Sequence, residues 1–206
     1  MLLLVGLGNP GPKHARNRHN VGFLAVDAIA GRHGFGPFRS RFHGLAADGR
    51  LGGVKTVALK PLTFMNRSGD AVGAALRYYK LAPADVLVIH DELDLAPAKL
   101  RMKAGGGHAG HNGLRSVHEH MGPDYRRMRI GIGHPGDKNK VMAYVLSDIP
   151  KADRAEFEAL IEAIAEAADD LGSGRDSAFA SRVALRLHPP KPDAAGAPRG
   201  PSGDGL

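Results

Sequence analysis

Two rhythms of apolar and polar positions run along the chain. One consists of short apolar runs that end in loops bearing Gly, Asn or Asp. The other consists of stretches whose apolar residues recur at spacings of three and four. Leu2 to Val5 belongs to the first kind and predicts a buried strand stopping at a glycine-rich turn. Residues 20–30 belong to the second, with Val21, Leu24 and Ala28 on one helical face and Gly31 as the stop. Residues 32–53, rich in Gly, Arg and His, predict extended segments and turns. Val54 to Lys60 predicts a strand. A helix follows, capped by Ser68 and burying Val72, Ala75, Leu76 and Tyr79. Asp85 to Asp91 (DVLVIHD) is the clearest strand, with four consecutive apolar residues as a central strand covered on both faces would have. Leu100 to Lys103 alternates and suits an edge or antiparallel strand. Gly105 to Gly113 predicts a flexible loop feeding a helix with Leu114, Val117 and Met121 inward. Arg129 to Gly133 predicts another strand. Ser147-Asp148-Ile149-Pro150 opens a long helix striped by Phe157, Leu160, Ile161, Ile164, Ala168 and Leu171.

Strands alternating with helices, without internal repeats, argue an α/β fold: one domain over residues 1–187, a three-layer sandwich with a twisted, mixed and mostly parallel sheet between helices. From His188 onward the chain is Pro, Gly and Ala with scattered charge, which predicts a disordered tail over 188–206.

Composition narrows the picture. The 206 residues are 43% hydrophobic and 24% charged, ordinary for a globular protein with its own core. There is no cysteine, which removes thiol nucleophiles, thiolate metal sites and disulfides and fits a reducing cytoplasm. The opening apolar run is too short for a signal peptide and lacks a basic n-region. No stretch approaches the ~18 apolar residues a membrane span needs, so no membrane partner is expected. Lysine and arginine outnumber acids 28 to 21, which favours a polyanionic partner such as nucleic acid.

Candidate chemistry gathers in loops at strand ends, where open α/β sheets bind ligands. Gly6-Leu7-Gly8-Asn9-Pro10-Gly11 matches the dinucleotide fingerprint, with Asp27 at about the spacing of a ribose-binding acid. Asp27 falls inside a helical pattern, however, and Pro10 and Pro12 delay the helix beyond the third glycine. The other loops carry Asn9 and His19, then Asn66, then Asp91, then His111 and Asn112. A histidine oriented by a carboxylate can deprotonate water. Amides can hold a carbonyl and a developing oxyanion. With no cysteine and no G-x-S-x-G elbow, the pattern points to hydrolysis by water without a covalent intermediate. Taken singly, Phe64 and Met65 read as packing residues.

At these motifs the sequence resembles the bacterial-type peptidyl-tRNA hydrolases. The matching segments are GLGNPG, RHNVGF, KPLTFMNRSG, HDELDL, GGGHAGHNGLRS and RIGIGHPG, in the family's order and over roughly residues 2–187. The resemblance implies a monomeric α/β enzyme, without cofactor or metal, working in the cytoplasm. Such an enzyme cleaves the ester between a peptide and the 3′ end of tRNA, recycling tRNA from prematurely released translation products. It implies His19 as general base and Asp91 as its orienting partner. Asn9 and Asn66 match residues that position the peptidyl group and the water. Asn112 matches a substrate-binding residue, and Met65 falls with it among the substrate contacts. Lys103 and Arg129 match residues that clamp a tRNA phosphate, and Arg101, Arg115, Arg126 and Arg127 would widen that basic surface. The glycine loop 105–110 is either a gate over the peptide site or a plain connection. His14 stands where the family usually carries tyrosine, placed to stack on a base or sit by a phosphate.

Two other readings have distinct signatures. A metallohydrolase would ligate its ion through His90, Asp91, His108 and His111, although these sit in a glycine-rich loop rather than on one helix face. A non-catalytic RNA-binding domain would be expected to show an aromatic-rich sheet face. Aromatics are only 5% of the chain and tryptophan is absent.

Overall fold

Strand β1 (Leu2–Gly6) is buried at every position, as a strand must be when helices cover both faces of its sheet. Its side chains alternate between two cores. Leu2 and Leu4 join one with Val26, Ile29 and Leu160, whereas Leu3 and Val5 join another with Val72, Ala75 and Val117. The computed structural model describes residues 1–190. Among these, seven strands form one sheet in the order β2-β3-β4-β1-β5-β7-β6. They are β2 (Arg39–Arg41), β3 (Gly44–Leu51), β4 (Val54–Pro61), β5 (Val86–Glu92), β6 (Leu100–Ala104) and β7 (Arg126–Gly131), besides β1. The four central strands, β4, β1, β5 and β7, run parallel, and β2, β3 and β6 are antiparallel additions at the two edges. Helices α1 (Val21–Arg32), α5 (Arg154–Ala167), α6 (Asp169–Gly172) and α7 (Asp176–Leu187) supply the first core. Helices α2 (Ser68–Tyr79) and α3 (Asn112–Met121) supply the second. The expected three-layer α/β sandwich is therefore present, its parallel character confined to the sheet centre.

Parallel pairing brings the carboxyl ends of four strands to one edge, and the chemistry-bearing loops leave from there. Gly22 sets how closely α1 approaches that edge. A Cβ on Gly22 would lie 2.5 Å from the carbonyl oxygen of Ile89 and 2.6 Å from the amide nitrogen of Leu7. Only glycine lets the first turn of α1 rest on β1 and β5, which seats residues 17–20 against the end of β5.

Several boundaries differ from expectation for identifiable reasons. Gly31 does not stop α1. It faces open space, and the left-handed residue that ends the helical stretch is Gly34, with φ of 62°. Ser68 does not cap α2, because its hydroxyl donates to the carbonyl of Met65 at 2.8 Å. Tyr79 and Met121 are half-buried rather than core residues. Strand β7 begins at Arg126, three residues early, since it fills the gap between β5 and β6. The long helix opens at Arg154, not Ser147, because Asp148 forms a bridge with Asn17. The stripe breaks after Ala167, and Leu171 belongs to α6. Helix α4 (Val141–Val145) and helix α7 were not signalled by the pattern. The tail beyond residue 190 lies outside the described residues.

Candidate active site

The buried end of β5 supplies the centre of the site. Asp91 is 3% exposed, and its Oδ1 accepts a hydrogen bond from His19 Nδ1 at 2.8 Å. The same oxygen accepts from His111 Nε2 at 2.9 Å. Burial alone would raise the Asp91 pKa, but the two imidazoles and their hydrogen bonds hold it well below the usual carboxylate range. Asp91 is therefore a carboxylate throughout the working pH range. Burial depresses the His19 pKa, and the charge and hydrogen bond of Asp91 more than reverse this, leaving it above its ordinary value. With Nδ1–H engaged by Asp91, Nε2 of His19 carries the free lone pair.

His111 is the N-cap of α3. Its Nδ1 accepts from the amides of Gly113 at 3.1 Å and Leu114 at 3.3 Å. An Nδ1 that accepts cannot carry a proton, so the proton sits on Nε2 and points at Asp91. The cap thereby selects the tautomer that Asp91 needs.

Asn9 is held on three sides. Its amide nitrogen donates to Asn20 Oδ1 at 3.0 Å, its carbonyl accepts from Asn20 Nδ2 at 2.9 Å, and its Oδ1 accepts from the Met65 amide at 3.0 Å. This ties the loop after β1 to the loop after β4 and presents the Asn9 carboxamide from a rigid frame. Asn66 and Asn112 are exposed beside it. Met65 is 5% exposed and lines the same pocket.

These residues wall a cavity of about 1150 Å³. Asn9, His19, Asn66, Asp91, His111 and Asn112 line its polar side, Lys103, Arg115 and Arg129 add positive charge, and Phe64, Val141, Met142 and Leu146 form an apolar rim. Phe64 and Met142, 71% and 66% exposed, are unusually open for such side chains.

The structure alters several expectations around this cavity. Arg129 does not stand free: its Nε donates to Glu92 Oε2 at 2.9 Å. Arg127 does not widen the basic surface. It is 2% exposed and donates to the carbonyls of Gly106 and Gly107, tying down the loop expected to be flexible. Arg126 is paired with Asp176. His14 Nδ1–H donates to Asn17 Oδ1 at 2.8 Å. The metal set read from sequence does not converge. The His108 ring packs against His118, and His90 turns its Nδ1 to the backbone carbonyl of Asp91 at 2.8 Å. His19, Asp91 and His111 do bring ligand atoms within 4.8 Å of one another. Both imidazole protons, however, occupy the shared Asp91 oxygen, and the α3 cap holds the one on His111 in place. Nor is Asp27 at a strand end: it lies in α1 and pairs with Lys60. Sequence reasoning missed Arg18, the frame role of Asn20 and the capping role of His111. A histidine directly before Asn112-Gly113 at a helix start was the available signal for the last.

Fold and site together define an α/β protein with a buried histidine–carboxylate pair at the carboxyl edge of its parallel strands. Residues 3–189 match the peptidyl-tRNA hydrolase family profile. The chain is 61% identical over 189 residues to the peptidyl-tRNA hydrolase of Paracoccus denitrificans, covering 92% of this chain and 80% of that one. It is 60% identical over 190 residues to that of Parvibaculum lavamentivorans, covering 92% and 93%. A crystal structure of peptidyl-tRNA hydrolase from Acinetobacter baumannii superposes with a TM-score of 0.84 at 40% identity, covering 89% of this chain and 94% of that one. The chain belongs to the peptidyl-tRNA hydrolase family. Among the described residues, no helix is long and apolar enough to cross a membrane.

Proposed function

We propose that this site hydrolyses the ester between peptide and tRNA in peptidyl-tRNA, using a water that His19 deprotonates. The observation that carries this reading is the 2.8 Å contact of His19 Nδ1 with Asp91, which leaves Nε2 as a base at the cavity wall. Asp91 fixes the tautomer and stabilises the imidazolium that forms. Asn9, rigidly framed, and Asn66 hold the ester carbonyl and the water, stabilising negative charge as the tetrahedral species develops. Asn112 and Met65 contact the peptidyl part, with the apolar rim accepting its side chains. Lys103 and Arg129 meet a tRNA phosphate, Arg129 in an orientation set by Glu92. No serine or cysteine enters the mechanism, so no acyl-enzyme forms. Residues 1–187 act as the catalytic domain, and the protein works as a monomer in the cytoplasm, where its substrate arises.

The test is release of peptide from an N-blocked peptidyl-tRNA, by wild type and by His19→Ala, with and without EDTA. The expected result is chelator-resistant turnover that falls roughly 10²–10⁴-fold in the variant, the usual worth of a positioned general base. A near-normal rate in His19→Ala removes His19 from that role. Chelator-sensitive turnover moves the reading to a metal ion held by His19, Asp91 and His111. Folded protein that binds tRNA without turnover is the outcome for an RNA-binding module.

A further inference from the structure

The polar stretch Asn17-Arg18-His19-Asn20 is buried at all four positions. Asn20 frames Asn9 and His19 meets Asp91, but neither accounts for Arg18, which is 9% exposed and has no carboxylate partner among the described residues. Its guanidinium turns instead to the segment that leaves α4. Nη1 donates to Ser147 Oγ at 2.5 Å and to the carbonyl of Asp148 at 3.0 Å, with longer contacts to the carbonyls of Tyr144 and Ser147. Its Cζ lies 4.1 Å from the centroid of the Tyr144 ring, close enough for a cation–π contact. Unpaired carbonyls at a helix C-terminus carry partial negative charge, so an arginine fits there electrostatically as well as geometrically.

The backbone repeats the attachment. Arg18 N donates to Ser147 O at 3.1 Å, Ile149 N donates to Arg16 O at 3.0 Å, and Asn17 Nδ2 donates to Asp148 Oδ1 at 2.9 Å. Helix α4 is itself part of the cavity: Val141, Met142 and Val145 line it. The clamp on the helix that supplies the apolar rim is therefore made by the residue immediately before His19.

We infer that Arg18 is a positioning residue that couples α4, the wall facing the peptide, to the orientation of His19 over Asp91. This rests on His19 being the base, as proposed above. Burial of a cation among four oxygen contacts would be a costly way merely to hold a surface helix. Next to the base, the same contacts fix the turn on which the imidazole stands. A shift of about 1 Å there is enough to cost on the order of 10²-fold in rate.

The experiment compares Arg18→Lys and Ser147→Ala with wild type. Lysine keeps the charge but loses the planar fork, and Ser147→Ala removes one acceptor while the carbonyl acceptors of Arg18 remain. Two readouts are taken: kcat and KM on peptidyl-tRNA, and the His19 imidazole titration by NMR in the uncomplexed protein, where Asp91 and His111 face the ring. Expected for Arg18→Lys is a kcat lower by about tenfold to a hundredfold with KM within about twofold. The His19 titration is expected to fall back toward that of a free imidazole, because its contact with Asp91 loosens. Ser147→Ala should move both readouts the same way by a smaller factor. A raised KM with unchanged kcat, or a lowered Tm with unchanged kcat and unchanged titration, overturns the inference. If wild type releases no peptide but the titration still shifts in Arg18→Lys, the functional reading fails and the coupling stands.

Discussion

His111 donates to Asp91 through Nε2 only because the first amides of α3 occupy its Nδ1. Removing the ring therefore acts on His19, the proposed base, at one remove. In His111→Ala, Asp91 loses a donor, its carboxylate becomes more basic, and its hold on the protonated form of His19 strengthens. The acid limb of kcat/KM should move up by about half a pH unit. Stability should fall by roughly 1 kcal/mol from loss of the cap. A limb that moves to lower pH would show that His111 does not share Asp91 in solution.

With His19 as the proposed base, the pH profile of the wild type follows from its titration. A general base must be unprotonated, and the His19 pKa lies above its ordinary value of 6.5. Turnover should therefore decline on acidification from a point above 6.5, rather than below it. The same shift has a stability consequence of opposite sense. The charged pair stabilises the fold fully below pH 6.5 and is lost as pH rises through the elevated His19 value. Initial rates across pH, read beside thermal melts, check both halves.

Glu92 and Arg129 make a prediction about polyanion binding. In Glu92→Gln the 2.9 Å ion pair is broken and Arg129 carries an uncompensated charge. Affinity for deacylated tRNA should rise and its salt dependence should steepen, by up to about one unit of slope per phosphate gained. Lys103→Ala should do the reverse. If Arg129 is the better clamp when Glu92 orients it, the gain in affinity will come with a lower kcat. Titrations at several salt concentrations separate the two effects.

His90 limits tolerance to acid. Burial is the main reason its pKa falls to about 3, and its Nε2 is buried without a hydrogen-bond partner in the structure. An unfolded chain takes up a proton at this residue below about pH 6.5, whereas the folded state refuses it until about pH 3. The fold should lose at most ~1.4 kcal/mol per pH unit across that window on this account. His90→Gln should flatten the wild-type dependence of Tm on pH between those limits. A dependence equal to wild type would place the acid sensitivity elsewhere, with Asp91 relevant only below the ordinary carboxylate range of about 4.

The strongly patterned elements were readable in advance. VLVI at the centre of β5 and LLLV in β1 are continuous apolar runs because both faces of the sheet are covered, and such runs leave little freedom of interpretation. The family resemblance paired His19 with Asp91, and in the structure the two side chains lie 2.8 Å apart. What escaped were features set by partners distant in sequence. Nothing local distinguishes Arg18 from a surface arginine, because its acceptors lie 126 to 130 residues further along. Arg127 looked like a solvent cation for the same reason, its partners being carbonyls of the glycine loop. The opening of α5 was misread because Asp148, a plausible helix start, is taken by Asn17. Charges read from a linear chain overstate the basic surface whenever the fold uses them internally.

The strand order has a consequence for biosynthesis. Asn9 and His19 emerge first from the ribosome, but their partner Asp91 lies on β5, and the Arg18 clamp closes only on residues 144–148. Three separate thirds of the chain must be present before His19 is seated. A nascent chain truncated before Asp148 can pair β1 with β4 and β5 and still lack a fixed His19. Catalytic competence thus arrives late in synthesis, after the centre of the sheet has formed, and prematurely terminated copies of this protein should be inert rather than partly active.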